Sequence, residues 1–252
     1  MDDNVDSLSI AVLIPARRAS TRLPEKLLLA ETGRPVLVHT CERAAAAFGR
    51  EAVTVCADDQ ALVDVVEAAG FQARLTSPGH QSGTDRIAEV AAELDAEVLV
   101  NVQGDEPEIE PAAIQQVAGL LHQHSWADIA TLATPGTLAD QNDPNAVKVV
   151  CGHHDRALTF TRAPCPWDRD AAAPAAQCLR HLGIYAYRRA ALLGYASLPA
   201  SQLEACEKLE QLRALEAGVG IACGVLAQAA PGIDVRADYD AFLARYRAVR
   251  PE

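Results

Sequence analysis

Short apolar runs alternate with amphipathic stretches along the first half of the chain. Each short apolar run that is flanked by turn-forming residues is predicted to be a strand. These runs are 9–14, 52–56, 71–76 and 98–102. Helices are predicted between them, where apolar residues recur at helical spacing, over 36–48, 61–69, 84–94 and 112–122. This alternation predicts an α/β fold with a doubly wound, mostly parallel sheet and helices on both faces.

The alternation of strand and helix changes after residue 125. Strands predicted at 128–133, 146–151, 156–162 and 179–187 have few helices between them, which indicates a smaller antiparallel lobe within 145–190. A long helix is predicted over 201–217 from an apolar stripe of leucines, followed by a strand at 221–226 and a helix over 237–249. No low-complexity linker divides the chain, so we expect one domain over 9–252 after a disordered acidic tail at 1–8.

Composition narrows the class of protein. The 252 residues carry 22 basic and 34 acidic side chains, a net charge of −12 that argues against a general nucleic-acid binder. No apolar run approaches the ~20 residues of a membrane-spanning helix, and the acidic N-terminus does not resemble a signal peptide. Seven cysteines without a Cys-x-x-Cys pair favour free thiols in the cytoplasm.

The loop after the first predicted strand, residues 15–26, concentrates positive charge. Arg17, Arg18, Arg22 and Lys26 lie within ten residues, in a chain that contains only three lysines. Arginines among small residues suit a polyphosphate, although a solvated basic loop is the alternative. The loop matches neither the Walker nor the Gly-x-Gly-x-x-Gly pattern, which disfavours ordinary kinase and dinucleotide sites.

Two further strand ends carry candidate ligands. In the loop 80–86, Ser82 and Thr84 either cap the next helix or offer donors to a nucleotide or sugar. Asp105 follows the fourth strand and Asp234 follows the last one. Two carboxylates at the carboxyl ends of strands would hold Mg²⁺. The alternative for Asp105 is that it only forms a Gly-Asp turn.

Several blocks together carry a resemblance to a known family. They are residues 14–17 with Lys26, then 80–86, 101–107, 145–150, 162 with 166–170, 180–185 and 209–213. With these blocks the chain resembles the 3-deoxy-manno-octulosonate (Kdo) cytidylyltransferases, also called CMP-Kdo synthetases, over about residues 9–248. Two positions depart from the family pattern. Glu25 replaces a small residue and puts an anion near the phosphate site, and Val235-Arg236 replaces Thr-Pro.

The resemblance implies a reaction and a set of residues. CTP and Kdo would give CMP-Kdo and pyrophosphate with Mg²⁺, for lipopolysaccharide synthesis. The implied catalytic residues are Arg17, Lys26, Asp105 and Asp234, the two aspartates being the metal ligands. The implied nucleotide-binding residues are Ala16, Arg17, Arg22, Lys26, Ser82, Gly83, Arg86 and Gln103. The implied sugar-binding residues are Gln103, Arg162, His181, Tyr185, Glu210 and Gln211, with Arg162 on the sugar carboxylate.

Other interpretations of the chain remain open. The same chemistry on 8-amino-8-deoxy-Kdo is one alternative, and a non-catalytic nucleotide-sugar binding protein is another. The complete set of cations and aspartates disfavours the second. We expect the lobe at 145–190 to bind the sugar, and the stiff apolar segment 164–167 predicts that it also meets a second copy of the chain in a symmetric homodimer. We expect no membrane or nucleic-acid partner, and we interpret the histidine pairs at 122/124 and 153/154 as surface residues.

Overall fold

A mixed β-sheet runs through the molecule in the computed structural model, which describes residues 8–80, 82–167, 169 and 178–249. Within these residues, nine strands form one sheet: β1 Ile10–Ala16, β2 Val53–Ala57, β3 Gln72–Leu75, β4 Val98–Asn101, β5 Ile129–Pro135, β6 Lys148–Cys151, β7 Ala157–Thr161, β8 Leu179–Arg188 and β9 Ile221–Val225. Their order is β3-β2-β1-β4-β8-β5-β9, and β6 pairs with β7 and β8.

The first four strands are mutually parallel, and the later ones are mixed. β1 pairs in parallel with β2 and β4, and β2 pairs in parallel with β3. β8 is antiparallel to β4, β5 and β6, whereas β9 is parallel to β5. The predicted doubly wound sheet with an antiparallel portion is confirmed. β8 lies inside the main sheet, so the 145–190 lobe shares a strand with the rest of the fold.

Helices cover both faces of the sheet. They are α1 Val36–Phe48, α2 Gln60–Ala68, α3 Gly83–Ala91, α4 Pro111–Gln123, α5 Leu138–Asn142, α6 Arg189–Gly194, α7 Gln202–Glu207, α8 Gln211–Glu216 and α9 Arg236–Val249. Successive residues of β1 point to opposite faces: Val12 and Ile14 join one buried cluster with α1, α2 and α4, and Leu13 joins another with α3, α6 and α8. The sheet is therefore buried on both faces, as its apolar strands require.

The prediction of one helix over 201–217 is wrong. Lys208 adopts the left-handed conformation at φ 55° and separates α7 from α8. The Glu207 carbonyl accepts a hydrogen bond from Arg162 Nε at 2.7 Å, a partner outside the helix. Leu209 and Leu212 are buried but Leu203 is 49% exposed, so the leucine stripe is not continuous. Tertiary contacts that the local pattern does not contain decide this break.

Two more sequence-based predictions concern the ends and the cysteines. Most of the predicted tail at 1–8 lies outside the described residues. Cys41, Cys56 and Cys223 are buried in the core, as predicted. In the part of the chain that the structure describes, no helix combines the length and the apolar character needed to cross a bilayer.

Candidate active site

Two adjoining pockets open at the carboxyl ends of the parallel strands. The first, which we call the charged pocket, measures about 410 Å³ and is lined by Pro15, Arg17, Ala19, Ser20, Thr21, Arg22, Lys26, Leu27, Ser82, Gly83, Gln103, Gly104, Asp105 and Glu210. The second, the tyrosine pocket, measures about 300 Å³ and is lined by Gly83, Thr84, Asn101, Gln103, Ile129, Val147, His181, Gly183, Tyr185, Tyr187, Tyr195, Lys208, Leu209, Glu210 and Gln211. Gly83, Gln103 and Glu210 belong to both linings.

Ion pairs dominate the charged pocket. Lys26 Nζ contacts Asp105 Oδ2 and lies 3.5 Å from Asp234 Oδ1. Arg22 Nη2 donates to the same Asp234 oxygen at 2.9 Å. The Lys26 side chain is 11% exposed and that of Arg22 is 65% exposed. The two aspartates predicted from the sequence therefore converge on one ammonium group.

Close packing brings the two aspartates together. A Cβ on Gly104 would lie 3.2 Å from the Pro15 carbonyl oxygen and from Leu37 Cδ1, so glycine lets this loop approach β1 closely. The Ile233 N–H donates to the Asp105 carbonyl at 2.9 Å, which ties the loop before α9 to the loop after β4. Leu23 and Ile233 are buried together with α9 residues, so their neighbours Arg22 and Asp234 meet.

The aspartate pair fits Mg²⁺. Asp105 and Asp234 supply hard carboxylate oxygens, and Mg²⁺ commonly takes one or two carboxylates plus phosphate oxygens and water. Within the described residues no group of three or more His, Cys, Asp or Glu side chains could hold a metal ion. Burial and the neighbouring Asp105 raise the pKa of Glu106 to about 7.

The tyrosine pocket holds its tyrosines and His181 in neutral form. Burial raises the pKa of Tyr185, Tyr187 and Tyr195 and lowers the pKa of His181 to about 3. Thr131 Oγ1 donates to the Ile184 carbonyl at 2.8 Å and lies 3.0 Å from His181 Nε2. The single Thr131 proton is thus used, so Nε2 carries the imidazole proton and Nδ1 is the lone-pair nitrogen.

Glu210 stands where the two pockets meet. Its Oε2 accepts from Thr84 Oγ1 at 2.8 Å, and its carbonyl accepts from the Tyr195 hydroxyl at 2.6 Å. Burial is the main cause that raises its carboxyl pKa. The neighbouring Gln211 is 6% exposed, and its Nε2 has no hydrogen-bond partner among the described residues. A buried amide without a partner is suited to binding a polar ligand.

The structure brings most of the predicted site residues together. Arg17, Arg22, Lys26, Ser82, Gly83, Gln103 and Asp105 line the charged pocket, and Asp234 joins them through its ion pairs. Gln103, His181, Tyr185, Glu210 and Gln211 line the tyrosine pocket. Ser82 also caps α3 through a 3.0 Å hydrogen bond from the Asp85 N–H, so the capping interpretation holds beside the binding one.

Besides Asp234, three predicted residues lie outside both linings. Ala16 is the buried last residue of β1. Arg86 is 1% exposed, and its Nη1 donates to Thr76 Oγ1 at 2.5 Å, which ties α3 to the chain after β3. Arg162 donates from Nε to the Glu207 carbonyl and from Nη1 to the Pro144 carbonyl at 2.8 Å. Arg86 and Arg162 therefore connect distant segments of the chain by hydrogen bonds. Their predicted contacts with ligands stay predictions.

Sequence reasoning missed part of the tyrosine pocket. Asn101, Tyr187, Tyr195 and Lys208 line it but were not predicted. Tyr187 follows Tyr185 by two residues on β8, so the period of a strand would have placed both on one face. Lys208 depends on the break between α7 and α8, for which no local signal was recognised.

Comparison with known proteins identifies the family. A model of the cytidylyltransferase family matches residues 11–221. Over 244 residues the chain is 50% identical to the 3-deoxy-manno-octulosonate cytidylyltransferase of Rhodopirellula baltica, which covers 93% of this chain and 97% of that protein. The chain belongs to the 3-deoxy-manno-octulosonate cytidylyltransferase family.

Other relatives agree with this family. The enzyme of the same name from Thioalkalivibrio sulfidiphilus is 47% identical over 243 residues, or 92% of this chain and 97% of that protein. The solved structure of a CMP:2-keto-3-deoxy-manno-octonic acid synthetase complexed with CTP is 39% identical, has a TM-score of 0.87 and covers 96% of this chain and 98% of that one. A nucleotidyl transferase from Methanothermobacter, 15% identical with a TM-score of 0.62 over 96% of this chain and 99% of that one, shares the fold.

Proposed function

We propose that the protein transfers the cytidylyl group of CTP to Kdo. The anomeric hydroxyl oxygen of Kdo bonds to the α-phosphorus, the bond from that phosphorus to the bridging oxygen breaks, and pyrophosphate leaves. The hydroxyl loses its proton to solvent. The observation that carries this proposal is the shared wall of the two pockets at Gly83, Gln103 and Glu210, because two substrates that react must meet.

The cations of the charged pocket suit the triphosphate. Arg17, Arg22 and Lys26 supply positive charge beside Ser82 and Gly83 at the start of α3, where small residues allow a close approach. They would hold the triphosphate and stabilise the negative charge that develops on pyrophosphate as it leaves. Mg²⁺ held by Asp105 and Asp234 would polarise the α-phosphate.

The polar groups of the tyrosine pocket suit sugar hydroxyls. Gln103, His181, Tyr185, Glu210 and Gln211 combine donors and acceptors at one wall of the cleft. The sugar carboxylate needs a cation. Arg162 is the residue that the family resemblance favours, and Lys208 is the one cationic side chain in the described lining, because His181 is neutral.

Substitution separates these two cations. Lys208→Met and Arg162→Met should be compared for the KM of Kdo and for melting temperature. The residue that binds the carboxylate raises that KM when it is replaced. A residue that only supports the loop near Glu207 lowers the melting temperature at an unchanged KM.

The direct test of the reaction is pyrophosphate release. Purified protein with CTP, Mg²⁺ and Kdo should release pyrophosphate and form CMP-Kdo, with less activity when 8-amino-8-deoxy-Kdo replaces Kdo. ATP should be a poor donor, because a purine is larger than cytosine. No release with either sugar, or equal rates with ATP and CTP, would overturn the proposal.

We propose further that the chain acts as a cytoplasmic homodimer with one domain. All seven cysteines are free, which supports a reducing compartment. Trp167 is 80% exposed in the single chain, which supports burial against a second copy. Light scattering of wild type and Trp167→Glu tests the dimer. We expect wild type to be dimeric and the variant to dissociate, and a monomeric wild type would contradict the proposal.

Cell fractionation tests the compartment and should place the protein in the cytoplasm. Denaturant unfolding tests the domain organisation and should show a single transition.

A further inference from the structure

Arg18 belongs to the basic loop but binds acidic side chains outside the charged pocket. Its Nε and Nη2 donate to Glu25 Oε1 at 3.0 and 2.8 Å, and its Nη1 donates to both carboxylate oxygens of Asp59 at 3.2 Å. Its backbone N–H donates to Asp58 Oδ1 at 2.9 Å. The cavity lined by these residues is separate from the charged pocket except for Ala19, Ser20 and Thr21.

Glu25 occupies an unfavourable position for its residue type. Its φ is 52°, in the left-handed region where glycine is favoured. It also places a carboxylate next to Lys26, in a loop whose other charges suit an anion. A strained residue with opposing charge is retained where surrounding contacts hold it, and here Arg18 supplies those contacts.

We propose that Arg18, Glu25 and Asp59 form a clasp that neutralises the Glu25 carboxylate beside the phosphate-binding loop. One end of the clasp lies in the loop, at Glu25 beside Lys26. The other lies at Asp59, whose Oδ1 also accepts from the Ala61 N–H at 2.9 Å and so caps α2. Asp59, between β2 and α2, thereby holds the Arg18 guanidinium against Glu25 by charge-assisted hydrogen bonds. This inference rests on the proposed function, because it assumes that the loop binds a triphosphate.

Stability and ligand binding should respond differently to loss of the clasp. Arg18 and Glu25 side chains are 44% and 56% exposed, and exposed pairs contribute little to folding. An uncompensated Glu25 carboxylate, however, would repel the several negative charges of a triphosphate bound at the neighbouring Lys26. We expect this repulsion to raise the KM for CTP about three- to tenfold, with a smaller increase at high salt.

A double-mutant cycle tests the clasp. Arg18→Met should raise the KM for CTP and leave the KM for Kdo unchanged. Glu25→Gly removes both the anion and the left-handed strain, so its KM for CTP should stay close to wild type. Arg18→Met with Glu25→Gly should recover most of the loss, because the repelling charge is gone. Arg34→Met, which breaks the exposed Arg34–Glu42 pair, is the matched control and should change neither KM.

The same four variants should be titrated with inorganic triphosphate by calorimetry, which needs no turnover. The clasp predicts that Arg18→Met binds this probe about three- to tenfold more weakly and that the double variant recovers. Equal affinity of Arg18→Met and wild type, or a double variant as weak as Arg18→Met, overturns the clasp. Loss of pyrophosphate release in wild type with this binding pattern intact would instead overturn the proposed function.

Discussion

The two adjoining pockets differ in the kind of polar side chain that lines them. The charged pocket holds full charges in ion pairs, of which Arg22 with Asp234 is exposed and Lys26 with Asp105 is partly buried. The tyrosine pocket keeps its buried histidine and tyrosines neutral, as the lowered pKa of His181 and the raised pKa of Tyr185 show. A charged side chain is stable where water screens it or an opposite charge pairs with it. In a buried wall without such a partner, neutral donors and acceptors cost less free energy to desolvate. A triphosphate suits the first environment and sugar hydroxyls suit the second.

The largest effect is expected at the carboxylates of the charged pocket. Asp105→Asn and Asp234→Asn keep the side-chain size but remove the charge that would hold Mg²⁺, so kcat should fall by about 10²–10³-fold with the fold intact. The double variant should be little worse than either single variant, because both carboxylates serve one ion. Steady-state kinetics measures kcat, and circular dichroism checks that the variants fold. Near-normal turnover at saturating Mg²⁺ would show that these aspartates are not the metal ligands.

The neutral state of His181 predicts a pH dependence of stability. Its pKa is lowered to about 3 in the folded protein, whereas an unfolded histidine binds a proton below about pH 6.5. This histidine therefore stabilises the fold less as pH falls, by roughly 2 kcal/mol between pH 6.5 and 4.5. Glu106 has the opposite slope in that range, because its pKa of about 7 lies above the unfolded value.

Because these two slopes oppose each other, the test compares wild type with His181→Gln. Denaturant unfolding between pH 4.5 and 6.5 should show the stability of wild type falling relative to the variant as pH is lowered. A stability difference that is constant across this range would mean that His181 becomes charged in the folded protein, and the contrast between the two pockets would fail.

Thr84 should have a smaller effect on the shared wall of the pockets. Thr84→Val keeps the shape but leaves the Glu210 carboxylate without its 2.8 Å donor, so the KM for Kdo should rise about tenfold. Thr84→Ser keeps a hydroxyl and should recover most of the loss. If valine and serine give the same KM, the hydroxyl does not position Glu210.

The two pockets also differ in how far their residues could be predicted from the sequence. Arg17, Lys26 and Asp105 belong to loops directly after predicted strands, and the rule that ligands bind at those strand ends locates them. Tyr195 lies in a 3₁₀ turn that follows α6, and Lys208 is the left-handed residue that ends α7. Arg162 lies beside this break and shows the same limit: its hydrogen bonds to Glu207 depend on contacts between distant segments.

The division of the cleft between two substrates is tested most directly by the Michaelis constants of one variant from each pocket. Arg22→Met removes a cation of the charged pocket, and Tyr185→Phe removes a hydroxyl of the tyrosine pocket while keeping its ring. We expect Arg22→Met to raise the KM for CTP about tenfold with the KM for Kdo within about twofold of wild type, and Tyr185→Phe to do the reverse. If both variants raise the same KM, or each raises both equally, the two pockets do not divide the substrates in this way.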